Sequence, residues 1–240
     1  MKSLLLDLDD TLLDYSGGVD QCWAAACAHG CTDGAVDAGT LGAAIVDSRR
    51  WFWDDPTRHR RERVNMPGAW TKIVEHALET LGRPDARLAS AIATEFARRR
   101  RERMRLFPES LACLDAWRAS GIRLGMVTNG DAREQRHKIL RHALARYFDV
   151  IVIEGEFGAG KPDEVVYRHA LDTLGVRPED TCMVGDHLDF DVAGAQQLGM
   201  RGIWIDRAGA GLPAGCAVRP DGIIRALTEL EEALRRPSAS

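Results

Sequence analysis

Three aspartates end the first apolar run of the chain, Leu5-Leu6-Asp7-Leu8-Asp9-Asp10-Thr11. Asp7 and Asp9 are two apart, so on a strand they point to the same side. Crowded carboxylates repel, and burial raises the cost of both charges. One then keeps its proton near neutral pH unless a cation intervenes. The pair suits a division of labour: one carboxylate attacks or binds metal, the other is a general acid. Three more apolar runs end in complementary groups. Val127-Thr128-Asn129-Gly130 brings a hydroxyl, an amide and main-chain N–H groups ahead of a helix, a good anion cradle. Gly158-Ala159-Gly160-Lys161-Pro162-Asp163 brings one of only four lysines among 32 basic residues. A compact ammonium there can neutralise phosphate and nucleophile together. Met183-Val184-Gly185-Asp186-His187-Leu188-Asp189-Phe190-Asp191 is a second acidic strand end. Hard oxygen ligands from two strands suit a magnesium ion that keeps several waters. Each end alone has an ordinary explanation as a turn, a helix cap or a solvated loop. Four together, each carrying a part that phosphoryl transfer needs, do not.

The elements that must position these groups are short. Ser3–Leu8, Ile122–Thr128, Val150–Glu154, Thr181–Gly185 and Gly202–Asp206 are compact apolar runs bounded by Gly, Asp or Asn, suited to a parallel sheet covered on both faces. Helical patterns lie between them at Glu109–Ser120, Ala132–Ala145, Asp163–Leu174 and Phe190–Leu198. The alternation predicts an α/β fold with a doubly wound, Rossmann-like parallel sheet, in which ligands bind at the carboxyl ends of the strands. From Tyr15 to Phe107 no convincing strand is visible. Val19–His29, Trp70–Leu81 and Arg87–Arg103 look helical. That stretch is too long for an ordinary connection. The expected division is a catalytic core of residues 1–14 and 108–240, with an α-helical cap inserted at 15–107. The tail Arg235–Ser240 looks frayed.

Composition narrows the class. The chain has 240 residues and a formal net charge of -4, which argues against nucleic-acid binding by charge. No apolar run approaches a membrane span, and the N-terminus lacks the pattern of a secretory signal. A cytoplasmic location is expected. None of the six cysteines forms a C-x-x-C pair, so reduced thiols in or near a core are expected, not zinc or disulfides.

The motifs D-L-D-D-T, T-N-G, G-K-P-D and V-G-D-H-L-D-F-D-V, in this order, resemble the four motifs of the haloacid dehalogenase superfamily. The insert position resembles that family's first type of cap. Thr128-Asn129-Gly130-Asp131 through Gln135, Tyr147-Phe148-Asp149, Gly199-Met200 and Trp204 are similar to its pyrimidine 5′-nucleotidase and N-acylneuraminate-9-phosphatase branch. The resemblance implies magnesium-dependent hydrolysis of a small phosphate monoester, of the nucleotide or sugar phosphate class. Asp7 would be the nucleophile that forms an aspartyl-phosphate. Asp9 would protonate the leaving oxygen, activate water, and lend its main-chain carbonyl to magnesium. Thr128 and the Asn129 amide would hold phosphoryl oxygens, Lys161 would balance charge, and Asp186 would complete the metal site. Asp191 and Thr11 would be supporting partners. The dehalogenases that name the family lack the second aspartate, because a halide leaves without a proton and an alkoxide does not. A phosphomutase on the same core and a non-enzymatic phosphate sensor are the alternatives. Monomer and homodimer both stay open.

Other signals carry less. The basic runs Arg58-His59-Arg60-Arg61-Glu62-Arg63 and Arg98–Arg103 lack the interleaved aromatics of single-strand binding and are expected to be solvated helix faces. Lys72 is expected on the outer face of a helix and not as a Schiff-base lysine. Trp51-Phe52-Trp53 suits either a substrate pocket or packing in a small helical domain. His187 is expected to border the site without doing chemistry.

Overall fold

Ser3–Leu6 (β1) is apolar without alternation after its first residue, and all four of its residues are buried, as a central parallel strand requires. Leu4, Leu5 and Leu6 are fully enclosed, each worth about 1.5–3 kcal/mol of burial. The computed structural model describes residues 2–32 and 34–235. The frayed tail expected at the C-terminus falls outside them from residue 236 onward.

The chain divides into two compact units, Met1–Tyr15 with Arg105–Ser240, and Ser16–Met104. The first unit contains β1, Leu13–Asp14 (β2), Arg105–Leu106 (β3), Arg123–Thr128 (β4), Val150–Ile153 (β5), Thr181–Gly185 (β6), Arg201–Ile205 (β7) and Gly222–Ile224 (β8). Six of these form one sheet in the order β5-β4-β1-β6-β7-β8, with every pairing parallel. Starting from β1 the chain builds outward on one side through β4 and β5, then on the other through β6, β7 and β8. The order reverses next to β1, where ligands bind in sheets of this kind. The doubly wound parallel fold expected from the sequence is the one formed.

Three strands were not expected. β8 is a sixth strand of only three residues. β2 and β3 form a small antiparallel pair, Leu13 opposite Leu106 and Asp14 opposite Arg105, so the stretch from Tyr15 to Phe107 is not free of strand.

Among the described residues the second unit contains five helices: Val19–Gly30 (α1), Ala38–Asp54 (α2), Pro56–Glu62 (α3), Met66–Thr80 (α4) and Ala86–Arg103 (α5). Four of them start on an Asx side chain that accepts from the first turn: Asp37 from Thr40, Asp55 from Arg58, Asn65 from Gly68, and Asp85 from Arg87 and Leu88. Trp23 stacks on Phe96 at 3.6 Å between ring centroids, and Trp70 meets Phe96 edge-on at 5.4 Å. Phe52 belongs to this core, whereas Trp51 is 46 % exposed, stacked on His76 and covered by the Arg58 guanidinium.

The basic runs correct the expectation of solvated faces. Arg63 and Arg100 are buried, and Arg100 donates to the Gly17 carbonyl. Lys72 is paired with the buried Glu62 at 2.5 Å while remaining half exposed. No disulfide joins any of the six cysteines, all of which lie among the described residues. No helix among the described residues is long and apolar enough to cross a membrane.

Candidate active site

The first unit's helices Ser110–Ala119 (α6), Ala132–Arg141 (α7), Glu154–Phe157 (α8) and Glu164–Leu174 (α9) follow strand ends, and the candidate groups lie on the turns between. Asp7 continues β1 and donates its main-chain N–H to Val184 of β6 at 3.0 Å. The next turn is tight. Asp10 is left-handed, with φ 54°, a conformation that aspartate tolerates better than most side chains. Its carboxylate accepts from the Tyr15 N–H at 3.0 Å. Beyond β6, Leu188–Ala193 is a wide π-helical turn capped by His187, the kind of irregularity common at functional sites. It places Asp191 inside and Asp189 in solvent.

Lys161 is the hub. Its ammonium is buried and lies 2.6 Å from Asp7 Oδ1 and 2.6 Å from Asp191 Oδ1. The second Asp191 oxygen accepts from the His187 N–H at 2.9 Å. Asp191 therefore braces the lysine from behind. Gly185 makes room for it, since a Cβ at that position would run into the Asp191 carboxylate. The loop carrying Lys161 is clamped by Asn129, whose side-chain amide donates to the Lys161 carbonyl at 2.8 Å and accepts from its N–H at 2.7 Å. Gly130 N–H donates to Glu154 at 2.9 Å, which fixes the turn after β4.

Thr128 is buried, and its hydroxyl accepts from Gln135 Nε2 at 2.7 Å. The nearest acceptor for the hydroxyl proton, the Asn129 carbonyl, is 3.5 Å away, too long for a strong bond. Thr11 is fully buried, and its hydroxyl has no hydrogen-bond partner among the described residues. Its carbonyl accepts from Arg207 at 2.5 Å. The Asp186 carbonyl accepts from the Trp204 indole at 2.7 Å, which ties that strand end to β7. His187 is exposed and stacked on Phe190 at 3.8 Å.

The sequence reading missed two residues that touch the site. Lys138 donates to both oxygens of Asp9, at 2.8 and 2.7 Å, and to Gln135 Oε1 at 2.6 Å. Gln135 Nε2 in turn reaches Asp9 at 3.1 Å. The scarcity of lysine and the three-residue spacing on one helix were the available signal.

Asp7, Asp186 and Asp191 each offer an oxygen within 4.8 Å of the others. Burial pushes Asp7 up to about 7; Lys161 pulls against it, and Asp191 and Asp9 add to the push. Burial also pushes Asp186 up to about 9, with Asp7, Asp191 and Asp10 repelling it. For Lys161, burial works to lower the ammonium, but Asp191 and Asp7 outweigh it and hold it above the usual lysine value. One ammonium does not balance this cluster. Hard oxygen donors with surplus negative charge fit a divalent cation.

Both carboxylates bind protons more tightly folded than unfolded, so the folded state holds the extra protons and stability falls as pH rises. In chelator, the cluster's cost is absent below about pH 4 and grows as pH climbs through 7 towards 9. The melting temperature of chelated protein should therefore drop across that window, and magnesium should flatten the drop. A melting temperature that rises over the same window would contradict this electrostatic picture.

The chain matches the family model for haloacid dehalogenase-like hydrolases over residues 1–199. It belongs to the haloacid dehalogenase-like hydrolases. This hydrolase is 34 % identical over 235 residues to a phosphoserine phosphatase of Thermus thermophilus, covering 86 % of this chain and 89 % of the relative. It is 38 % identical over 115 residues to the N-acylneuraminate-9-phosphatase of Rattus norvegicus, covering 48 % of this chain and 46 % of that protein, so it spans less than half of that relative. Among solved structures, the 2-haloacid dehalogenase of Pseudomonas syringae pv. Tomato superposes with a TM-score of 0.65 at 30 % identity over 98 % of both chains. As a family hydrolase with phosphatase relatives, the chain agrees with the resemblance read from its motifs.

Proposed function

We propose that this hydrolase removes phosphate from a small, polar phosphate monoester through an aspartyl-phosphate on Asp7, with magnesium as cofactor. The observation that carries the reading is the buried Asp7 carboxylate, 2.6 Å from Lys161 and beside Asp186 at the carboxyl end of β1. A nucleophile needs charge compensation to approach an anionic phosphate; Lys161 supplies part of it, and a cation held by Asp7 and Asp186 would supply the rest.

Asp7 and Asp186 carboxylates with the Asp9 carbonyl would hold the magnesium ion, and Asp191 would stand behind them. When bound, the ion supplies positive charge that lowers the repulsion between carboxylate and phosphate. Asp7 attacks phosphorus, and the bond to the leaving oxygen breaks. The Thr128 hydroxyl, with its proton free to donate, and Lys161 hold the phosphoryl oxygens. The Asn129 side chain is committed to the Lys161 main chain, so the amide it offers a phosphoryl oxygen is its main-chain N–H. Asp9 protonates the leaving oxygen and then takes a proton from the water that hydrolyses the acyl phosphate.

Asp9 also separates this reading from dehalogenation, which the P. syringae structure brings to mind. A halide needs no proton, whereas here a carboxylate on the adjoining turn is held in place by Lys138 and Gln135. The unit Ser16–Met104 is assigned the role of a cap that sets substrate choice. Six cysteines without a disulfide among the described residues fit a reducing, cytoplasmic compartment.

The test is phosphate release from a panel of phosphoserine, sugar phosphates, nucleotides and phosphoglycolate. Release should stop in chelator and return with magnesium. Isomer interconversion without free phosphate would point to a mutase, and binding without turnover to a sensor; either result would displace the proposal.

A further inference from the structure

The least accounted-for charge in the first unit is Lys138. It sits on α7, and its side chain is only 4 % exposed. Buried lysines are rare because a desolvated ammonium is costly unless it is paired. Here the partner is Asp9, which receives two hydrogen bonds from Lys138 and is itself 24 % exposed. The Tyr15 ring covers the ammonium at 4.3 Å, a favourable cation–π contact. Gln135 completes the arrangement. Its Oε1 accepts from Lys138, and its Nε2 donates to Asp9, to the Thr128 hydroxyl and to the Asn129 carbonyl. Nε2 has only two protons for these three acceptors, so it shares them. One helix face therefore joins the side chain of the first motif to the hydroxyl of the second.

We propose that Lys138 is a positioning residue for Asp9, fixing its carboxylate beside the leaving oxygen, with Gln135 keeping that position in register with Thr128. The inference rests on the reading of Asp9 as the group that protonates the leaving oxygen. Both Asp9 oxygens are held by one fixed ammonium, whereas the bridge from Asp9 to Leu13 of β2 fixes the main chain of that turn and not the carboxylate. Without the ammonium, the carboxylate has only the shared Gln135 proton to hold it and becomes free to rotate.

The experiment compares leaving groups. kcat/KM reports the step in which the leaving oxygen departs. An alkyl phosphate such as phosphoserine needs its alkoxide protonated, whereas p-nitrophenolate departs from p-nitrophenyl phosphate largely unaided. General acid catalysis is worth about 10²- to 10⁴-fold. Asp9→Asn should lose activity mainly on the alkyl ester. Lys138→Met should copy that selectivity, with a loss on the alkyl ester about tenfold or more beyond its loss on p-nitrophenyl phosphate. A merely structural lysine would lower both substrates by the same factor.

If Asp9→Asn is selective and Lys138→Met lowers both substrates equally or neither, the positioning role is wrong and the reading of Asp9 stands. If Asp9→Asn shows no selectivity, the reading of Asp9 fails and takes this inference with it. Should Lys138→Met not fold, Gln135→Leu decides. It keeps the lysine and removes the amide, and it is expected to show the same alkyl-selective loss in smaller degree. Equal losses on both esters in that variant would overturn the proposal.

Discussion

Asp7→Asn is expected to lower turnover by at least about 10⁴-fold while leaving the fold intact, since loss of a nucleophile that acts within a catalytic unit costs of this order or more. The amide keeps the shape of the carboxylate but cannot attack phosphorus. Stability should not suffer. Lys161 keeps Asp191 at 2.6 Å as a counter-charge. Asp186 is relieved of the carboxylate that repels it most. In chelator above pH 7 the variant should melt no lower than the parent protein. Phosphate release and a melting curve on the same preparation check both halves. Retained turnover would remove Asp7 from the mechanism. A large loss of stability would contradict the view that the site is overloaded with negative charge.

Lys161→Met should have the opposite effect on stability. It preserves most of the buried stem and deletes the charge. Asp7 and Asp191 are then left without the ammonium that each contacts at 2.6 Å. Removing one partner of a buried ion pair costs about 3–5 kcal/mol. The loss should be largest at alkaline pH and shrink in acid, where the Asp7 carboxylate, pushed up by burial, takes up a proton. Activity should fall as well, by about 10²- to 10³-fold, the scale for losing one preorganised stabiliser of transition-state charge. Denaturant unfolding at pH 5 and pH 8 checks the first expectation, and phosphate release the second. A stability equal to the parent protein at pH 8 would show that the lysine does not neutralise the cluster.

The contrast between these two variants shows which parts of the molecule the sequence makes visible. Asp7, Thr128 and Asp186 each end an apolar run, so strand and polar end could be read together, and Lys161 stands out as a rare lysine in the glycine-rich loop that follows β5. Thr181–Gly185 forms over the expected residues, and the other four core strands end within two residues of expectation. Lys138 and Gln135 gave no such sign. They lie on a mostly polar helix, where a buried charge looks like any solvated one until its partner is known. Arg100 and Arg63 were hidden in the same way, among neighbouring arginines that do face water.

Short elements escape for a different reason. Gly222–Ile224 and the pair Leu13–Asp14 and Arg105–Leu106 are too brief to show any period. Leu41, Ile45, Ser48 and Phe52 do mark one face of α2, but the glycines and polar residues around them blur it. Asp191 could be named only through the family resemblance, because what buries it and leaves Asp189 in solvent is the π-helical turn, whose pitch no strand or α-helix pattern predicts.

The central claim is that the Asp7 carboxylate becomes phosphorylated. Protein quenched during turnover of a good substrate can be treated with borohydride, which reduces an acyl phosphate to the alcohol, and then digested and analysed by mass spectrometry. The account predicts that the peptide containing residue 7 carries homoserine in place of that aspartate, and only when substrate and magnesium were both present. An unmodified residue 7 under conditions of steady phosphate release, or reduction at another carboxylate, would contradict it.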